Sequence, residues 1–218
     1  MIPKPAQPPP AETDEMIRAI RAATIGITGA SPVTFGREDD LAGFTAAAWR
    51  TWLEGAFLDL HAPALAASYR CVAEGDIRGV NEIDRRYGQD LVAVAGAGVA
   101  AASQRAGANV LQAMPGARAI RPLERLRAAA EAGEIEAHFA VMFGAHAAVF
   151  HVPLAASLVA LAYLEWKRGG GLATARSEGD DVEECFAREA VGTGLHGLVA
   201  KAMAGGAQGA PNIFAACA

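Results

Sequence analysis

Apolar positions recur along most of this chain at helical spacing. Leu41, Phe44, Ala48, Trp52, Ala56 and Leu60 fall three or four residues apart, and Trp49, Leu53 and Phe57 widen the stripe. That pattern predicts an amphipathic helix capped by Asp39 or Asp40. Upstream, Met16, Ile17 and Ile20 give a weaker helical pattern over residues 12–23. Downstream, His61-Ala62-Pro63 predicts a turn, and Pro63 opens a helix through Leu65, Tyr69 and Val72 that Gly75 closes. Asp76 then caps a short helix to Tyr87, ended by Gly88. Residues 89–114 read as one long alanine and glycine helix through Leu91, Val94, Gly98, Ala101 and Val110, stopped by Pro115 and Gly116. Residues 122–132 form a charged surface helix broken by Gly133. A last helix over residues 180–204 starts with Asp180, Asp181, Glu183 and Glu184, acids placed well for the helix dipole.

One stretch departs from this rhythm. From Phe139 to Leu164 there are 26 positions without an Asp, Glu, Lys or Arg. A run of that length is either a membrane span or the buried centre of a helical protein. His146 and His151 are costly in lipid, and Val152-Pro153 offers a break, because proline is tolerated at a helix start. The reading is therefore two helices of about 13 residues each, lengths ordinary for a bundle. Phe139, Met142, Phe143, His146, Val149 and Phe150 share a face of the first, and Leu154, Leu158, Leu161 and Ala162 a face of the second.

Composition agrees with helix. The chain of 218 residues is 52% hydrophobic but only 6% aromatic, and alanine-rich stretches poor in β-branched residues favour helix over sheet. The expected fold is an all-α single-domain bundle of about eight to nine helices around a buried central hairpin. A proline-rich arm, residues 1–11, is expected to be disordered, the helical domain spans residues 12–204, and residues 205–218 form an irregular tail. A net charge of −5 without a basic block argues against nucleic acid as a partner. No signal peptide is visible, and Cys71, Cys185 and Cys217 are odd in number and scattered, which points to a cytoplasmic setting.

Motifs that carry chemistry are sparse. Gly96, Gly98 and Ala101 match G-x-G-x-x-A, but a dinucleotide site needs a strand before them and an acid about 20 residues on. ITGAS, residues 27–31, imitates a dehydrogenase turn, yet Pro32 stands where a helix should begin. His138, His146 and His151 fall within the hairpin with Glu134 a turn earlier. His146 and His151 are five apart, outside the spacing that aims two ligands at one ion. No catalytic residue and no metal ligand is assigned. A helical metal- or nucleotide-dependent enzyme, using the three histidines or the Gly96/Gly98 stretch, is the competing reading, and a membrane span at residues 139–164 a third.

In order and spacing the chain resembles the urease accessory protein UreF family. The resemblance runs from about Leu41 to Arg176. It begins in WRTWLEGAFLDLHAPALAASYRCVAEGDI, with Tyr69, Gly75 and Asp76, and continues through Asp84, Ser103 and Gly107. It is best in the hairpin, at His138, Gly144, Pro153 and Trp166, with Arg176 ten positions on. The chain departs from the family in its N-terminal motif, in Val94, Gly98 and Ala100 where charged residues are usual, in SEGDD after the arginine, and in a triple glycine within a continuous helix. It also reads PNIFAACA where a His-Glu tail begins. The resemblance implies an all-α scaffold without catalysis and without a permanently bound cofactor: it joins a UreD/UreH-type accessory protein, recruits a UreG-type GTPase, and serves apo-urease with nickel handled by the complex. It also implies a homodimer.

Overall fold

The computed structural model describes residues 10–25, 27, 45–112 and 120–205, and the regular structure among them is entirely helical. The helices are α1 (Pro10–Thr24), α2 (Ala46–Trp52), α3 (Ala62–Glu74), α4 (Ile77–Ala95), α5 (Ala97–Gln112), α6 (Arg121–Glu131), α7 (Phe139–Val149), α8 (Leu154–Trp166), α9 (Leu172–Glu178), α10 (Val182–Gly192) and α11 (Leu195–Gly205). A π-helical segment, Leu53–His61, joins α2 to α3 without a break, whereas Lys167–Gly171 joins α8 to α9 across a kink at Gly170, whose φ is 132. With each joined pair counted once, the described helices number nine, and the expected all-α bundle is what is found.

The bundle is built on α7. All its residues from Phe139 to Ala148 are buried, so the one-sided stripe expected for it becomes a helix apolar all round, as a central helix must be. It is enclosed mainly by α3 and α5, with α4, α6 and α8 completing the wall. The most extensive contact is with α3. There Ser68 Oγ donates to the Val141 carbonyl at 2.7 Å, and a Cβ on Gly144 would collide with the Leu65 carbonyl. α7 ends at Phe150, and the chain reverses through His151 to Pro153, the N-cap of α8. α8 packs chiefly on α1, so the two arms of the hairpin serve different neighbours.

Several boundaries differ from the sequence reading, each for a physical reason. α1 begins at Pro10, inside the arm expected to extend to residue 11, because proline is suited to a first turn. Thr45 caps α2, accepting from the Ala48 amide at 3.1 Å. The expected caps Asp39 and Asp40, like Leu41 and Phe44, lie outside the described residues. The turn expected at His61-Ala62-Pro63 is absent. Proline lacks the donor for an i→i−4 bond and would clash with the Asp59 carbonyl. The wider π-helical turns carry the chain past it, with the Ala62 amide bonded to the Phe57 carbonyl.

Gly75, at φ 81, closes α3 as expected, and Asp76 caps α4 through the Gly79 amide at 2.9 Å. α4 then runs through Gly88 to Ala95. The long helix expected over residues 89–114 breaks at Gly96, whose φ of 87 and ψ of 165 only glycine adopts readily. Thr193 and Gly194 likewise divide the helix expected over residues 180–204 into α10 and α11. α11 reaches Gly205, the first residue assigned to the tail. The remaining arm and tail, residues 28–31 of ITGAS, and Pro115 and Gly116 fall outside the described residues.

Candidate functional site

Asp84, Ser103 and His138, three of the buried polar groups, converge where α4, α5 and the start of α7 meet. α4 buries Val80, Ile83, Asp84, Tyr87 and Leu91 on one stripe, and Asp84 sits in the middle of it. Its carboxylate accepts the Glu136 and Ala137 amides at 2.9 Å each and the His138 amide at 2.7 Å. Ala137, at φ 58, is a non-glycine residue in left-handed backbone, and this bend lets consecutive amides turn to one acceptor. Burial pushes the Asp84 carboxyl above its ordinary value, against the opposing pull of the three amides and His138.

This clasp sets the first turn of α7. His138 is its N-cap residue and fully buried. Its Nε2 lies 2.8 Å from Glu136 Oε2, the oxygen that also accepts Gln104 Nε2 at 2.7 Å. A Cβ on Gly88 would overlap His138 Nε2, and one on Gly107 would overlap the Ala137 carbonyl. Both glycines are therefore places where α4 and α5 come against the clasp. Ser103 Oγ accepts the Phe139 amide at 3.1 Å. Tyr87 meets the His138 ring edge-on at 5.4 Å, and its hydroxyl stands 2.7 Å from His61 Nδ1. Burial, with Glu165 and Asp84 nearby, pushes the Tyr87 hydroxyl far up. His61 is held down to about 4 by burial alone.

The positions that carry the resemblance are thus mostly architectural. Gly75 and Asp76 form the α3–α4 corner. Ser103, Gly107 and His138 belong to the clasp. Gly144 admits α3, and Pro153 starts α8. Trp166 is buried against Phe186 at 5.4 Å, and Gly171 leaves room for its ring. Tyr69 is half-buried against the core. Arg176, in α9, is exposed and stands apart from the rest.

The competing chemistry is not assembled. His138 and His146 sit at opposite ends of α7, eight residues or about 12 Å apart along the axis. His146 is buried with its ring 4.6 Å from Phe150, and burial lowers it to about 4. His151 is exposed in the reversal at φ 55. Among the described residues no three His, Cys, Asp or Glu are placed to hold a metal ion. Gly96 divides α4 from α5 and Gly98 lies in the first turn of α5, with no strand among the described residues to make a dinucleotide turn. Among those residues no helix is long and apolar enough to cross a membrane, since the uncharged run is divided at residues 150–153.

Sequence reasoning passed over Glu136, Gly88, Tyr87 and His61. An acid and a tyrosine on the apolar stripe of α4 were the available signal. The surface offers one conspicuous feature. Residues 92–98, VAVAGAG, are all exposed at the α4–α5 corner, with Val94 at 69% and Val92 at 47% of their full exposure. Seven consecutive uncharged residues facing water mark a contact surface more readily than a scatter of single side chains does.

The fold and the interior therefore define an all-helical scaffold whose buried polar groups hold its helices together. A model of the UreF family matches residues 44–168, more than half of the chain. The chain belongs to the UreF family, a family of urease accessory proteins. The matched stretch contains the clasp, α7 and α8, while Arg176 lies beyond it. No curated protein and no solved structure matches the chain.

Proposed function

We propose that this protein acts as a non-catalytic adaptor in urease maturation. It joins a UreD/UreH-type accessory protein, takes up a UreG-type GTPase, and takes part in an assembly that hands nickel to apo-urease as cargo. It works in the cytoplasm as a homodimer and holds no cofactor of its own. The family match over residues 44–168 carries this reading.

The surface supports it. An adaptor needs apolar area that its own fold leaves uncovered, and the Val92 to Gly98 corner supplies that. Asp84, Ser103 and Ser68 are spent on contacts between elements, as a rigid adaptor requires. The test is to mix the purified protein with the cognate GTPase and the UreD/UreH-type protein and follow size-exclusion elution. Co-elution of all three is the expected result. Clean separation at micromolar concentration would overturn the proposal.

A further inference from the structure

The Tyr87 hydroxyl stands 2.7 Å from His61 Nδ1, a buried contact between α4 and the end of the Leu53–His61 segment. A neutral imidazole completes this bond in either tautomer, taking the phenolic hydrogen at a bare Nδ1 or giving an Nδ1 hydrogen to the phenolic oxygen. A second proton on His61 makes both ring nitrogens donors and puts a charge on a buried ring, where water cannot solvate it.

His61 also stands at a mechanically distinctive point. It is the last residue of the π-helical segment, and its ring stacks at 5.6 Å on Trp52, the residue just before that segment. One buried ring thus ties both ends of the segment to α4. The groups around it are few. From α4 come Tyr87 and Asp84, and from α8 Glu165, the two acids acting on Tyr87. Glu54 and Asp59 on the segment itself are exposed, as are Arg50 on α2 and His196 and Lys201 on α11.

We propose that His61 is a proton-sensitive latch, which fastens the Leu53–His61 segment to α4 when neutral and releases it when protonated, leaving α7 in place. Burial holds His61 down to about 4 in the closed form, whereas a solvated imidazole titrates near 6.5. Between those values proton uptake goes with opening, and the opening constant rises about tenfold for each unit the pH falls.

Hydrogen exchange of the full chain, followed by mass spectrometry at pH 7.5, 6.5, 5.5 and 4.5 and corrected for intrinsic exchange rates, tests this. Protection over residues 53–61 should fall about tenfold per pH unit below 6.5, while α7 changes much less. The slope should vanish in His61→Gln and persist in His146→Gln. Equal loss of protection in α7 and the segment in the wild-type protein would overturn the latch, whether or not the variants fold. So would an unchanged slope in a folded His61→Gln.

Discussion

Two stretches of this chain are almost equally free of charge and meet opposite fates. α7 is buried from Phe139 to Ala148, whereas residues 92–98 are all exposed. Hydrophobicity alone does not separate them. α7 is gripped at its start by the Asp84 clasp and Ser103, and α3 reaches its backbone at Gly144. The corner at residues 92–98 has no such fastening: a Cβ added at Gly96 or Gly98 would meet nothing within 4 Å. Glycine on α7 admits a neighbouring helix, and glycine at the corner only turns the chain. The lesson is that the polar anchors and close crossings decide which apolar stretch becomes core and which stays on the surface.

The comparison breaks most sharply if charge is placed in the core. Leu158 is fully buried in α8, and Leu158→Asp should cost more than about 4 kcal/mol, since an unpaired carboxylate has no water there. The expected outcome is loss of the cooperative unfolding transition in circular dichroism. An unchanged melting temperature would mean that the hairpin is not core.

The clasp comes next. Asp84→Ala removes the acceptor of three buried or half-buried amides, at a cost of roughly 3 kcal/mol or more. Gly144→Ala forces a methyl group against the Leu65 carbonyl and should cost about 1–3 kcal/mol. Gly98→Ala, with open space around it, should change stability by less than about 0.5 kcal/mol, or raise it slightly. Urea midpoints of the three variants rank the anchors directly.

Acid should loosen the interior more gradually. His61 and His146 are both lowered to about 4 by burial. The folded chain keeps them neutral while the unfolded chain takes up protons below about 6.5. Their contribution is therefore whole above 6.5 and lost as the pH falls toward 4. At pH 5 the loss is at most about 2 kcal/mol per histidine. Chemical denaturation at pH 7.5 and pH 5 measures it, and His61→Gln and His146→Gln should each flatten the dependence.

Much of this architecture was legible in the residues. The uncharged run, its break at Val152-Pro153, the Gly75-Asp76 corner and the helical stripe from Ala48 to Leu60 all act locally, so their spacing discloses them. The misread boundaries share a different cause. Pro63 and Gly88 look like stops, but each is accommodated by something distant or wider than one turn: π-helical turns at the first, the approach of His138 at the second. The clasp was hidden for the same reason, since Asp84 and residues 136–138 are joined only when α4 lies against the start of α7. Gly96 was misjudged because alanine on both sides made a continuous helix look natural.

The smallest stability effect carries the most about function. Val94 is 69% exposed on the α4–α5 corner, so Val94→Asp loses no buried contact and should move the unfolding free energy by less than about 0.5 kcal/mol. The same change sets a carboxylate in the middle of seven uncharged residues. If a partner covers this corner, that charge must be stripped of water on binding, and a buried unpaired charge is costly. Affinity for the UreD/UreH-type protein or the GTPase should then fall at least tenfold while the melting curve overlays that of the parent. Gly98→Ala, which adds only a methyl group, should bind more nearly like the parent. Unaltered affinity of Val94→Asp for both partners, in a protein that still co-elutes with them, would move the contact away from this corner and leave its exposure without a role.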